Sequence, residues 1–148
     1  MDQTPASSKE TTWYAPPPAP FDIVTCWFPE SGATPGPELR PALVTHVYRL
    51  KTSGHCGVRV LFGTKNLKLM RRQHLDLIVQ NHWDITQFGL TCATRFDIDL
   101  AAKLLYNDTY FGVWHGRKTP VIGTLTRDYL NDYAFKVGLR QSPQPPER

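Results

Sequence analysis

Three short stretches carry side chains suited to handling a phosphate: Arg40-Pro41, Gly63-Thr64 and Arg95-Phe96-Asp97. A guanidinium offers a planar fork of N–H donors that matches phosphate oxygens, and a carboxylate beside it can accept a proton. The Thr64 hydroxyl adds one more hydrogen-bonding group. Each stretch also has a structural use. Arg40 reads as a surface charge before a proline, and Thr64 as a turn hydroxyl. Arg95 with Asp97 reads as a same-face strand pair worth a few tenths of a kcal/mol, up to ~1.

These residues sit in or near an acid-free basic stretch. Between Arg40 and Arg72 the chain has eight Lys or Arg residues and no Asp or Glu, although its formal net charge is only +4. Concentrated positive charge attracts polyanions. Arg59, Lys65, Lys68, Arg71 and Arg72 are therefore candidates for contacting RNA, against the alternative of a solvated basic loop. Trp83, Trp114, Tyr110 and Phe111 fall in or beside expected loops. There a ring either stacks on an unpaired base or covers the open end of a small barrel.

Other chemistries find little support. The five histidines show no HxxxH or HxH spacing and no neighbouring cysteine pair, so no metal or other cofactor is expected. No glycine-rich phosphate loop and no nucleophile elbow is present. Cys26, Cys56 and Cys92 are scattered and odd in number, which points to free thiols in a reducing, cytoplasmic setting. No secretory pattern opens the chain, and no apolar run reaches the ~20 residues of a membrane helix.

The elements that must position the candidate residues follow from composition and periodicity. Eight of the thirteen prolines lie in the two ends, so residues 1–20 are expected as an extended or disordered arm and 141–148 as a disordered tail. The body is then 21–140. Strands are expected over Phe21–Phe28, Pro41–Tyr48, Val58–Phe62 and Leu75–Val79, with further short ones over Thr91–Asp97 and Ala102–Tyr106. In the third, Val58, Val60 and Phe62 alternate with Arg59 and Leu61, as in a strand with one face partly wet. Trp27 and Phe28 are expected in the core. Leu125, Tyr129, Leu130, Tyr133 and Val137 form one apolar helical stripe, with Thr126 as N-cap and Gly138 as the stop. The sum is a mainly β domain, a small barrel or curled sheet with a helix laid against it.

In order along the chain, Asp22-Ile-Val, a Gly/Pro loop, Leu39-Arg40-Pro41-Ala-Leu-Val44, Gly63-Thr64, Thr94-Arg95-Phe96-Asp97 and Ile122-Gly123-Thr-Leu125 resemble the PemK/MazF toxins of bacterial toxin–antitoxin systems. The resemblance spans about residues 21–137. It implies an SH3-like barrel, a homodimer with single-stranded RNA across its groove, and an antitoxin partner whose acidic or amphipathic segment covers that groove. The implied activity is metal-independent endoribonuclease cleavage, in which a 2′-hydroxyl attacks the adjacent phosphate. By the same resemblance, Arg40 and Arg95 hold the phosphate, Thr64 hydrogen-bonds it, and Asp97 transfers a proton. One departure bears on catalysis. Some members carry a histidine in the loop before Arg-Pro, where this chain has Ala33, Thr34, Pro35 and Gly36. A non-catalytic module binding nucleic acid or protein on the same barrel is the alternative.

Overall fold

Apolar residues alternating between two directions give this chain a sheet that is packed on both sides. The computed structural model describes residues 10–67 and 75–141. Its elements are β1 (Asp22–Cys26), β2 (Arg40–Arg49), β3 (Cys56–Thr64), β4 (Leu77–Val79), α1 (His82–Gln87), β5 (Thr94–Leu105), β6 (Val121–Thr124) and α2 (Arg127–Gln141). The strands form one antiparallel sheet in the order β4-β5-β3-β2-β1-β6. It curls into a half-barrel with α2 following it, so the mainly β class expected from the sequence holds.

Successive strand residues point to opposite faces. Ile23, Leu43, Leu61 and Phe96 enter one buried cluster, against which Tyr129, Leu130 and Tyr133 of α2 pack. Val24, Val44, Val58 and Val60 enter a second, with Phe111 and Tyr106. Each such side chain contributes about 1.5–3 kcal/mol when fully buried. The partly wet face expected for β3 is confined to Arg59, which is half-buried, while Leu61 on the same face is fully buried. Phe28 is core, whereas Trp27 is only half-buried.

The two short strands expected over 91–106 are one strand. Its pairing with β3 jumps from Leu61↔Ala101 to Phe62↔Asp97, so the chain bulges at Ile98–Leu100 without leaving the sheet. The helix α1 was not expected. Asn81 caps it, its side chain accepting from the amides of Trp83 and Asp84. Gly89, at φ 73, ends it. The Gly89 and Leu90 amides donate to the Thr86 and Ile85 carbonyls, which is a Schellman closure. The Tyr129 hydroxyl donates to Asp84 at 2.6 Å and ties α1 to α2. Burial, and then that bond, push the Tyr129 pKa upward.

The end of α1 also rests on β6, where a Cβ at Gly123 would collide with the Phe88 carbonyl. Gly123→Ala is expected to cost about 1–3 kcal/mol, because backbone rather than a side chain must yield. A shift of the urea midpoint would measure it, and an unchanged midpoint would refute it.

α2 starts where expected, with the Thr126 carbonyl accepting from the Leu130 amide. It does not stop at Gly138 but runs to Gln141. A mid-helix glycine costs only ~1 kcal/mol, and the last turn carries Arg140, whose Nε donates to Asp99 at 2.7 Å. Residues 12–14, which composition placed in the arm, are tied to the body. The Tyr14 amide donates to the Tyr106 carbonyl, and the Trp13 ring stacks on His55 at 3.9 Å. Among the described residues no helix is long and apolar enough to cross a membrane.

Candidate functional site

The β2–β3 pairing sets Ala42 opposite Phe62, and continuing that register two residues places Arg40 opposite Thr64. Thr64 in turn lies opposite Arg95 on β5. Three separated stretches of sequence thus form one row across three strands. At the Arg40–Thr64 end lies a hollow of about 140 Å³, lined by Glu38, Arg40, Thr64, Lys65, Thr94 and Trp114 among others.

Arg40 is held but accessible. Its Nη2 is 2.8 Å from Glu38 Oε1, its side chain is 26% exposed, and its guanidinium carbon stands 5.8 Å from the centre of the Phe62 ring. The ring face attracts the cation and limits where the fork can point. Thr64 Oγ1 accepts from the Asn66 amide at 3.1 Å, a turn hydroxyl still within the lining. Trp114 Nε1 donates to the Leu39 carbonyl at 3.3 Å, which pins the indole beside the Arg40 strand entrance. The arrangement offers a guanidinium, an ammonium, a hydroxyl and an aromatic face around a space of phosphate size. A carboxylate stands at the rim.

Arg95 and Asp97 are not in that lining. The Arg95 side chain is 4% exposed, with Nη1 2.8 Å from Asp76 Oδ2 and 3.7 Å from Asp97 Oδ2. Its Nε donates to the Asn66 carbonyl at 3.2 Å. Asp76 is wholly buried, and its Oδ1 also accepts from the Ile98 amide at 3.2 Å and from Arg140 Nη2 at 3.4 Å. Lys136 Nζ donates to the Asp76 carbonyl at 2.8 Å. The network joins β5 and α2 to the entrance of β4. Carboxylate oxygens of Asp76, Asp97 and Asp99 come within 4.8 Å of one another, and among the described residues Arg95 and Arg140 place cations between them.

The remaining cations of the basic stretch divide. Lys65 lines the hollow. Arg49 closes the hairpin turn by donating to the Gly54 carbonyl at 2.7 Å, with Lys51 exposed beside it. The ten residues of β2 separate these two ends, roughly 30 Å at strand rise. Arg59 projects elsewhere, and Lys68, Arg71 and Arg72 lie outside the described residues. Of the four aromatic candidates Trp114 lines the hollow, Trp83 is 70% exposed on α1 and Phe111 is core. The Tyr110 hydroxyl donates to the Ala33 carbonyl.

Sequence reasoning missed Glu38, whose place between Pro37 and Leu39 reads as loop, and missed Asp76 and Arg140. Only the two-residue spacing of Glu38 from Arg40 hinted at a shared face. The thiols also differ. Cys26 is buried, which pushes its pKa up, whereas Cys92 is exposed on the hollow's rim. No protein-family model matches this chain, and no curated protein matches it in sequence.

Proposed function

We propose that the protein is a PemK/MazF-like endoribonuclease that cleaves single-stranded RNA without a metal, with the Arg40–Thr64 hollow as its phosphate site. The observation that carries this is the meeting of Arg40 with Thr64 and Lys65 in one accessible hollow. In this reading Arg40 and Lys65 take the non-bridging oxygens of the scissile phosphate, and Thr64 hydrogen-bonds it. Trp114 stacks on a neighbouring base, worth ~1–3 kcal/mol. The 2′-oxygen forms its bond to phosphorus as the P–O5′ bond breaks. A cyclic phosphate and a 5′-hydroxyl remain. Arg40 then stabilises the charge of the pentavalent phosphorane, which exceeds that of the diester. Arg95 acts from beneath, positioning the strand row.

The 2′-hydroxyl must lose a proton and the 5′-oxygen must gain one. Resemblance gives proton transfer to Asp97; position in the hollow gives it to Glu38, 2.8 Å from Arg40. Glu38→Gln is expected to slow cleavage about 100-fold. Asp97→Asn should keep the wild-type rate. The reverse pattern would return the role to Asp97.

The direct test incubates the chain with a long single-stranded RNA in EDTA, followed by end-group analysis. Cyclic-phosphate ends support the reading; intact RNA at high protein concentration ends it. With the nuclease reading come a homodimer, a cytoplasmic setting and an antitoxin whose acidic segment covers the hollow. The second reading, a module that binds without cutting, is favoured by the commitment of Arg95 to Asp76. RNA binding that falls steeply with salt, without cleavage, would select it.

A further inference from the structure

On the sheet face opposite Arg40, His46, Arg59 and Lys103 stand in a second row. His46 pairs with Arg59 across β2–β3, and Arg59 pairs with Lys103 across β3–β5. Neighbouring strands lie about 4.8 Å apart, so Arg59 is flanked on both sides at that spacing. Its neighbours Val58 and Val60 turn into the second core cluster, which directs Arg59 to the other face. Phe62, beneath Arg40, packs with that second cluster instead. The two cationic groups therefore serve different surfaces.

Like charges directly opposed on adjacent strands destabilise a sheet. Here none is neutralised locally: no ion pair to Arg59 or Lys103 occurs among the described residues. Asp99 borders the same trough, but Arg140 grips it at 2.7 and 3.1 Å. The row is also braced from below. Thr45, 5% exposed, accepts from Arg59 Nη1 at 2.9 Å, and its Oγ1 lies 3.0 Å from His46 Nδ1. One buried hydroxyl thus orients a guanidinium and an imidazole. In the tautomer in which the Thr45 hydroxyl donates to His46 Nδ1, Nε2 carries the proton and can donate to a ligand beside the rest of the guanidinium. The hollows on either side share His46 and Arg59, with Tyr48 bordering one and Tyr133 the other.

We infer that this trough is a second anion site, built for a phosphate group. Three donors of different shape suit an anion presenting three oxygens in a pyramid. A guanidinium fork takes two of them, and the imidazole and ammonium reach the third from either side. A carboxylate, flat and with two oxygens, leaves one donor unused. The site does not depend on the nuclease reading, since a chain that cuts no RNA would still bind phosphate here.

The test follows the His46 ring signals of the full chain by NMR at pH 7 and constant ionic strength. Inorganic phosphate and pyrophosphate should move them saturably, whereas chloride should not. Arg59→Gln is expected to weaken binding about fivefold or more. The exposed Lys103→Gln should weaken it also, and Lys51→Gln, at the distant hairpin turn, should leave the His46 response as it is. DNA oligonucleotides with a 5′-phosphate or a 5′-hydroxyl separate the two sources. Response to the first alone marks a terminal phosphate; response to both marks a backbone phosphate. His46 signals that ignore phosphate, or follow chloride equally, overturn the proposal. A response to polyglutamate without one to phosphate also overturns it, in favour of an acidic peptide.

Discussion

Asp76→Ala is expected to lower the unfolding free energy by about 3–5 kcal/mol, the usual cost of removing one member of a buried ion pair. The size follows from what remains. Arg95 is 4% exposed and would be left with the Asn66 carbonyl and the more distant Asp97 carboxylate, 3.7 Å away. The Ile98 amide would lose its acceptor at the bulge, and Arg140 one of its two carboxylates. A domain of this size is stable by only ~5–15 kcal/mol, so the variant should sit close to unfolding at room temperature. Denaturant melts would show a lower midpoint at an unchanged slope. A double replacement, Asp76→Leu with Arg95→Met, separates charge from packing. An apolar pair of similar volume recovers much of the loss, because both desolvation costs vanish together. A single Asp76→Ala loss below about 1 kcal/mol would mean that water reaches Arg95, and the network would cease to be the tie among β4, β5 and α2.

That network also shows where sequence reading stops. The strand of Leu75–Val79 was legible because its apolar residues cluster and are β-branched at Ile78 and Val79. Nothing local marked Asp76, between two leucines, as buried. Its burial comes from Arg95, nineteen residues on, and Arg140, sixty-four on. No local pattern encodes such partners. For the same reason the Arg95-x-Asp97 spacing was legible as a same-face pair, while Arg95, expected to hold a phosphate with Arg40, is drawn inward by Asp76 and lies outside the hollow's lining. β5 read as two strands because Asp97 and Asp99 interrupt its apolar rhythm where the bulge lies. α1 was invisible to periodicity since it buries none of its residues, although Asn81 and Gly89 marked its two ends. By contrast, the hollow's Arg40–Thr64 core was readable, because an antiparallel hairpin returns the end of one strand to the start of the other. That rule of topology needs no distant contact.

Arg40→Ala tests the other half of the molecule, and its expected signature is the inverse of Asp76→Ala. On the nuclease reading proposed above, cleavage should fall by ~10²–10³-fold, the typical cost of removing one donor aimed at charge that develops in the transition state. Stability should barely move. The Arg40 side chain is 26% exposed and its ion partner Glu38 is 63% exposed, and surface pairs of this kind are worth about 0–1 kcal/mol. Arg40→Lys restores the charge without the planar fork, so it should regain binding of RNA at low salt but little of the rate. Arg95→Ala should lose activity as well, yet through a lowered melting temperature, as Arg95 belongs to the buried network. Thermal melts run beside rate measurements therefore separate a residue that touches phosphate from one that holds the strands in place. If Arg40→Ala cuts RNA at the wild-type rate, the hollow is not where cleavage happens. If Arg40→Ala binds single-stranded RNA as tightly and with the same salt slope, the hollow is not where the phosphate rests either.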